Sequence, residues 1–348
     1  MNICYLLEST QLCGGVRIAF DQARALSRLG HRVSIRAKSG THDWYNSSIQ
    51  VCYVNNLAVG FEPGQKPDVV IATFWTTVKQ AIALNCKQTF HLCQGYEADF
   101  EEYSTLSKEI ENVYRMPIPK LTVGPWLDQR LKEVYGNDSF AIYCVGQIVD
   151  RSTFRPQLFP VRTLFRRIFS LPVRVLVVGN YSVSVKDIPS ALNAVAKLRD
   201  AGLLVHLSRV ASEPLSEEES AITQIQSYNI EMKPSQLAAL YRHSDLFFAP
   251  SRDKEGFGLP FAEALASGTP CVATRIPSFL GFDNCHDYAA FVPQNDPAAM
   301  ANAASQLLRD PAKISFLRRR GPEVIRYNYS ADKVARALDQ VFLEPVKP

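Results

Sequence analysis

A chain of 348 residues, 47% hydrophobic and 21% charged, has room for two domains of about 150 residues and the balance of a soluble globular protein. That balance excludes disorder, collagen and coiled coil, and no apolar run approaches the roughly 18 residues of a membrane helix. The net charge of +4 is unevenly placed: residues 1–150 hold 14 basic against 15 acidic side chains, residues 151–348 hold 24 against 19. The excess on the second half fits a small anionic ligand better than a nucleic-acid tract.

The start, Met1–Leu7, has no basic flank and no cleavage site, so a signal peptide is not expected. The eight cysteines stand singly, several of them inside apolar runs, with no CxxC pair and no histidine at zinc spacing. A reduced, cytoplasmic protein is expected.

Short apolar runs alternate with helical patterns along the chain, which predicts parallel sheets covered by helices, an α/β fold. Ile3–Leu7 reads as a buried strand, Gly14-Gly15 as a turn, and Val16–Leu29 as a helix stopped by Gly30. Strands follow at Val33–Ile35, Ile49–Val54, Val69–Thr73, Thr89–Cys93, Leu121–Val123 and Ala141–Val145. Prolines 156, 160 and 172 mark a linker. Its basic stretch, Arg162–Phe169, reads as a solvated helix face or, alternatively, as an amphipathic helix on a membrane surface. A second unit begins with the strand Val173–Val178. The helix Ile188–Ala201 has Asp187 as its expected cap, Pro189 in its first turn and Gly202 past its end. Leu203–Leu207, Asp245–Ala249 and Pro270–Thr274 continue the sheet. Helices at Pro297–Arg309, Ala312–Arg320 and Ala331–Phe342 close the chain. Two doubly wound domains result, and ligands in such sheets bind at the carboxyl ends of the strands.

The residues that carry chemistry lie in Pro250–Pro270. A strand leads in, and a helix starts at Leu259 or Pro260, so Gly256-Phe257-Gly258 is glycine-rich backbone at a helix N-terminus. Free amides and the helix dipole there favour an anion or sugar oxygens. Glu255 in the loop and Glu263 in the first turn can face one cleft, where carboxylates suit neutral vicinal hydroxyls. The plain alternative is that Glu263 offsets the helix dipole and Glu255 is solvated, which leaves the glycines unexplained. Lys186 precedes a helix N-terminus, where a cation is unfavourable unless a phosphate bridges it to the amides. Its alternative is an exposed lysine neutralised by Asp187. Gly14-Gly15 is not GxGxxG, and the second strand ends in Arg36-Ala37-Lys38 rather than an acid for a ribose. A dinucleotide oxidoreductase is therefore disfavoured.

Glu255 and Glu263, separated by seven residues and followed by Ala-Leu-Ala-Ser-Gly-Thr-Pro, resemble the signature of glycosyltransferase family 4. These are retaining enzymes of the GT-B fold that use nucleotide-sugar donors. Gly14-Gly15-Val16, Val149-Asp150 with Phe154 and Pro156, Val178-Gly179 through Lys186, and Leu240-Tyr241 resemble further family segments in the same order. The resemblance implies an N-terminal Rossmann-like acceptor-side domain over 1–160, joined by a crossover helix at 329–348. It implies a nucleotide-sugar-binding domain over 161–328, with a cleft between the two. Glu263 would hold the donor ribose and Lys186 the diphosphate. Amides of Gly256, Phe257, Gly258 and Leu259 would contact sugar and phosphate, Glu255 would bind sugar hydroxyls near the reacting carbon, and Gly15 would close over the donor. No metal or other cofactor is implied. The implied acceptor is a hydroxyl compound, with lipid-linked glycan among the candidates and peripheral contact at the inner face of the membrane as an option.

Three departures bear on donor identity. Asn180 stands where the family commonly has an arginine, and Arg209 is either its replacement or a surface residue. Gln94 stands where a sugar-site histidine is common, with His91 inside the strand as a core residue. Ile276–Gly281 replaces a glycine-rich turn. With Ala72–Thr76, the stretch around Gln94 resembles a branch that includes some rhamnosyltransferases. The rival reading is a non-catalytic sugar-nucleotide-binding subunit that supports an active partner.

Overall fold

The computed structural model describes residues 1–45, 48–156 and 171–344. The basic stretch Arg162–Phe169 and the expected boundary at 160/161 lie outside the described residues. The chain divides into two compact units, Met1–Ile148 with Tyr329–Pro348, and Val149–Asn328.

In unit 1, seven strands form one wholly parallel sheet: β1 (Asn2–Ser9), β2 (Arg32–Ser39), β3 (Gln50–Tyr53), β4 (Val69–Ala72), β5 (Gln88–Cys93), β6 (Lys120–Thr122) and β7 (Ile142–Cys144). Their order is β3-β2-β1-β4-β5-β6-β7. The chain thus winds outward from β1, returns, and winds the other way from β4, leaving a topological switch point between β1 and β4. The central strands are buried on both faces, as their unbroken apolar runs require; Cys4, Leu6, Val70, Ala72, Val78 and Ala81 pack together. Burial pushes the Cys4 thiol up to about 11, and all eight cysteines are free thiols. The helix Ala331–Leu343 belongs to this unit, with Phe342 against Phe90 at 5.2 Å and Asp339 3.0 Å from His31.

Unit 2 repeats the winding with six parallel strands: β8 (Val173–Val178), β9 (Val205–Ala211), β10 (Ser227–Ile230), β11 (Leu246–Ala249), β12 (Cys271–Thr274) and β13 (Ala290–Val292), in the order β10-β9-β8-β11-β12-β13. Its switch point lies between β8 and β11. Val175, Val177, Leu192, Leu207, Leu246 and Phe248 form the core. Both units are Rossmann-like, doubly wound α/β layers.

Several local expectations are corrected. Gly14 and Gly15 are not a turn but the first two residues of the helix Gly14–Arg28; the turn precedes them. The Asp187 carboxylate accepts no hydrogen bond from the amides of the helix Ile188–Asp200, because the residue's own backbone is left-handed at φ 44°; the Asp187 carbonyl oxygen accepts from the Ser190 amide at 3.0 Å. Its carboxylate accepts from Ser190 Oγ instead. β9 reaches Ala211, so Arg209 lies inside a strand rather than beyond one, and its side chain is fully buried. Strands β10 and β13, four and three residues long, are not expected from the sequence because each is too short to show a clear strand pattern.

His91 is a core residue of β5, fully buried and 4.8 Å from the Tyr114 ring. Neither ring nitrogen has a hydrogen-bond partner among the described residues. Burial pushes its pKa well below the ordinary value, with the Lys120 charge adding to the effect, so the ring is neutral. Close by, Glu97 is buried and accepts from Tyr114 Oη at 2.5 Å. Burial raises the Glu97 carboxyl from 4.5 to about 7, against the lowering effect of that bond. The folded protein therefore holds a proton at Glu97 that the unfolded chain releases, and stability is lost as pH rises from 4.5 through 7. The loss is at most about 3 kcal/mol. Thermal melts from pH 5 to 8 should show wild type falling more steeply than Glu97→Gln; parallel curves would refute the assignment.

Candidate active site

Lys186 ends a short 3-10 turn, Ser184–Lys186, after β8, and Glu255 lies in the loop after β11. The two strands are neighbours across the switch point of unit 2, so residues 69 apart in sequence meet at their carboxyl ends. Lys186 Nζ donates to Glu255 Oε2 at 2.7 Å, with the lysine side chain 24% exposed and the glutamate 8%. The solvated alternative for Glu255 and the pairing of Lys186 with Asp187 are both replaced by this contact. Asp187 pairs with Arg252 instead, at 3.4 Å.

A small pocket opens beside Lys186, lined also by Pro250, Ser251, Gly258, Pro260 and Phe279. Gly258 has φ +80°, and a Cβ on it would overlap the Phe279 ring. Only glycine fits there: the turn needs a left-handed residue and Phe279 occupies the side-chain space. Phe279 belongs to Ile276–Gly281, so that segment supports the loop from below. Phe257 points inward, its ring 5.0 Å from Phe282, which leaves its backbone as the part able to meet a ligand. Gly256 is buried beside it, and Leu259 begins the helix Leu259–Ala266 with Pro260 in its first turn.

Glu263 is the fifth residue of that helix, one position beyond the expected first turn. It is 1% exposed, and Tyr241 Oη donates to its Oε2 at 3.4 Å. Hydroxyl pairing is thus the chemistry this carboxylate already performs. Tyr241 itself was missed as a partner because its place on the helix Pro234–His243 reads as ordinary core spacing.

In unit 1, Gly15 after β1, Thr73 after β4 and Gln94 after β5 converge on the other switch point. Gln94 Nε2 donates to Gly15 O at 3.2 Å and to Thr73 O at 3.4 Å. A Cβ on Gly15 would stand 2.9 Å from Gln94 Oε1, so a larger residue there would displace the end of the Gln94 side chain. Asn180 accepts from the Ser212 amide at 2.8 Å and braces a loop. Arg209 does not replace a cation there, for Glu219 and the carbonyls of Val177 and Gly179 engage it in the interior.

Residues 172–310 match the family Glycosyl transferases group 1. Over these residues the chain is similar to group 1 glycosyltransferases. The matched segment spans most of unit 2, including the pocket, Lys186, Glu255 and Glu263. Among curated relatives, the D-inositol 3-phosphate glycosyltransferase of Corynebacterium urealyticum is 29% identical over 52% of this chain and 37% of its own length. The phosphatidyl-myo-inositol mannosyltransferase of Mycobacterium leprae is 28% identical over 60% of this chain and 55% of its own. The matches thus span about half or less of these relatives. Solved structures share the fold over nearly the whole chain. Sucrose-phosphate synthase of Thermosynechococcus elongatus has a TM-score of 0.75 at 16% identity, covering 98% of both chains. HepE of Anabaena in complex with UDP-glucose has 0.76 at 12% identity, covering 98% of this chain and 99% of its own.

Among the described residues there is no group of three His, Cys, Asp or Glu side chains able to hold a metal ion. Nor is any described helix long and apolar enough to cross a membrane.

Proposed function

We propose that this protein is a retaining glycosyltransferase that moves a sugar from a nucleoside-diphosphate donor to a hydroxyl acceptor. The observation that carries the reading is the meeting of Lys186 and Glu255 beside the Gly258 turn, at the carboxyl ends of the strands flanking the switch point. The group 1 match over the same residues supports it. In the reaction the bond from the sugar's anomeric carbon to the diphosphate breaks and its electron pair stays with the diphosphate. A bond to the acceptor oxygen forms on the same face, and the acceptor's proton leaves with the diphosphate. Lys186 stabilises the departing charge, Glu255 binds sugar hydroxyls, Glu263 binds ribose, and the amides of Gly256–Leu259 hold sugar and phosphate.

Fixed cationic and amide groups stand in for a metal in this scheme, so activity should persist in excess chelator; a strict requirement for a divalent ion would refute that. The acceptor we favour is a lipid-linked glycan met by a cytoplasmic protein at a membrane surface, a choice supported by the phosphatidyl-inositol named in the mycobacterial relative. A thermal-shift screen of nucleotide sugars tests the donor: at about 100 times its dissociation constant, a true donor adds about 2.7 kcal/mol. Absence of any shift across the common nucleotide sugars would overturn the reading. Glu263→Gln should then weaken donor binding by about 1.5–3 kcal/mol while the protein stays folded, the range for a hydrogen bond to a charged group. Unchanged affinity in calorimetry would end the ribose assignment. The non-catalytic subunit remains the second reading because Asn180 offers no charge at its position. Donor hydrolysis or transfer by wild type rules it out.

A further inference from the structure

A diphosphate brings more negative charge than one ammonium already shared with Glu255 can balance, so a donor site built here calls for a second cation. Arg209 cannot serve, since Glu219 and two backbone carbonyls hold it in the interior. Arg252 is differently placed. Its backbone N–H donates to Val185 O at 2.9 Å, which fixes it beside the Lys186 turn. Its carbonyl accepts from the Glu255 amide at 3.0 Å, which fixes it to the other half of the site. Its guanidinium reaches Asp187 Oδ1 at 3.4 Å, with the arginine side chain 37% exposed and the aspartate 4%. A buried carboxylate therefore holds one part of the guanidinium, while the arginine side chain keeps a face open to solvent. The left-handed backbone of Asp187 turns that carboxylate away from the helix amides and toward Arg252 and Ser190.

We propose that Arg252 is a second diphosphate-binding side chain of the donor site, with Asp187 as its counter-ion in this structure. The inference rests on the nucleotide-sugar reading above. A planar guanidinium with several donors can keep a bond to Asp187 while others turn to phosphate oxygens in its two-pronged geometry.

The test is calorimetric titration of the full chain with ADP, CDP, GDP, UDP and dTDP. For the diphosphate that binds wild type, Arg252→Gln should lower affinity about 10-fold or more, and Arg252→Lys should lose less. Asp187→Asn separates binding from scaffolding. Asparagine tolerates the left-handed backbone, and losing the carboxylate removes a competitor for the guanidinium, so this variant should bind at least as tightly as wild type. If Arg252 only tied the loop through Asp187, both variants would weaken binding alike, and that result overturns the inference. Equal affinity of Arg252→Gln and wild type overturns it too, and leaves the donor reading standing. If none of the diphosphates binds wild type, the donor reading falls and this inference with it.

Discussion

Replacing Lys186 by alanine should lower turnover by about 100-fold or more, comparable with removing one preorganised oxyanion donor. Negative charge builds on the diphosphate as the glycosidic bond breaks, so a cation beside it acts more strongly on the transition state than on the bound donor. Donor affinity should accordingly fall less than turnover. The 2.7 Å contact with Glu255 adds a second consequence. Lys186→Ala leaves a largely buried carboxylate without its cation, and the melting temperature should fall as well. Assays of this variant therefore belong well below its own melting point. Lys186→Arg should restore only part of the rate, because a planar fork replaces a point charge. Intact turnover with weakened binding would make the lysine a docking charge and nothing more.

Loss of Glu219 should destabilise the fold more than loss of Lys186, Glu255 or Glu263. Arg209 is fully buried, donates from Nε to Glu219 at 2.5 Å, and donates from its two other nitrogens to Val177 O and Gly179 O at 2.9 Å each. Glu219→Ala strands that guanidinium in the interior, at a cost of about 3–5 kcal/mol. For a unit of this size the first thermal transition should drop by on the order of 10 °C. The double variant Arg209→Met/Glu219→Leu should recover most of the loss, since the isolated charge rather than the missing bond is what costs. If Glu219→Ala melts within a degree or two of wild type, the pair is not the anchor of β9 that its geometry implies.

Both predictions concern ion pairs that no pattern in the sequence announces. The alternation of apolar runs and helical periods dictated two parallel α/β layers, because a strand buried on both faces must be apolar throughout and a covering helix must show one apolar stripe. Gly258 and Pro260 likewise located the loop and the helix start, since left-handed backbone and a first-turn proline are written in single residues. The glycine pair at 14–15 misled for a local reason: glycine permits a turn but does not compel one, and here the helix takes it in.

Which side chains meet was decided only by the winding of the sheets. Lys186 faces Glu255 because β8 and β11 are neighbours across the switch point, although 69 residues separate the two partners. Gln94 reaches Gly15 and Thr73 for the same reason around β1, β4 and β5. Asp187 adopts a left-handed backbone and turns to Arg252, where its position before a helix suggested a cap. Glu217, Glu218 and Glu219 are alike in sequence, and only the helix they start decides that the third is buried on Arg209. Pairings of this kind depend on which strands lie side by side, and strand order is a property of the whole unit that short-range spacing does not encode.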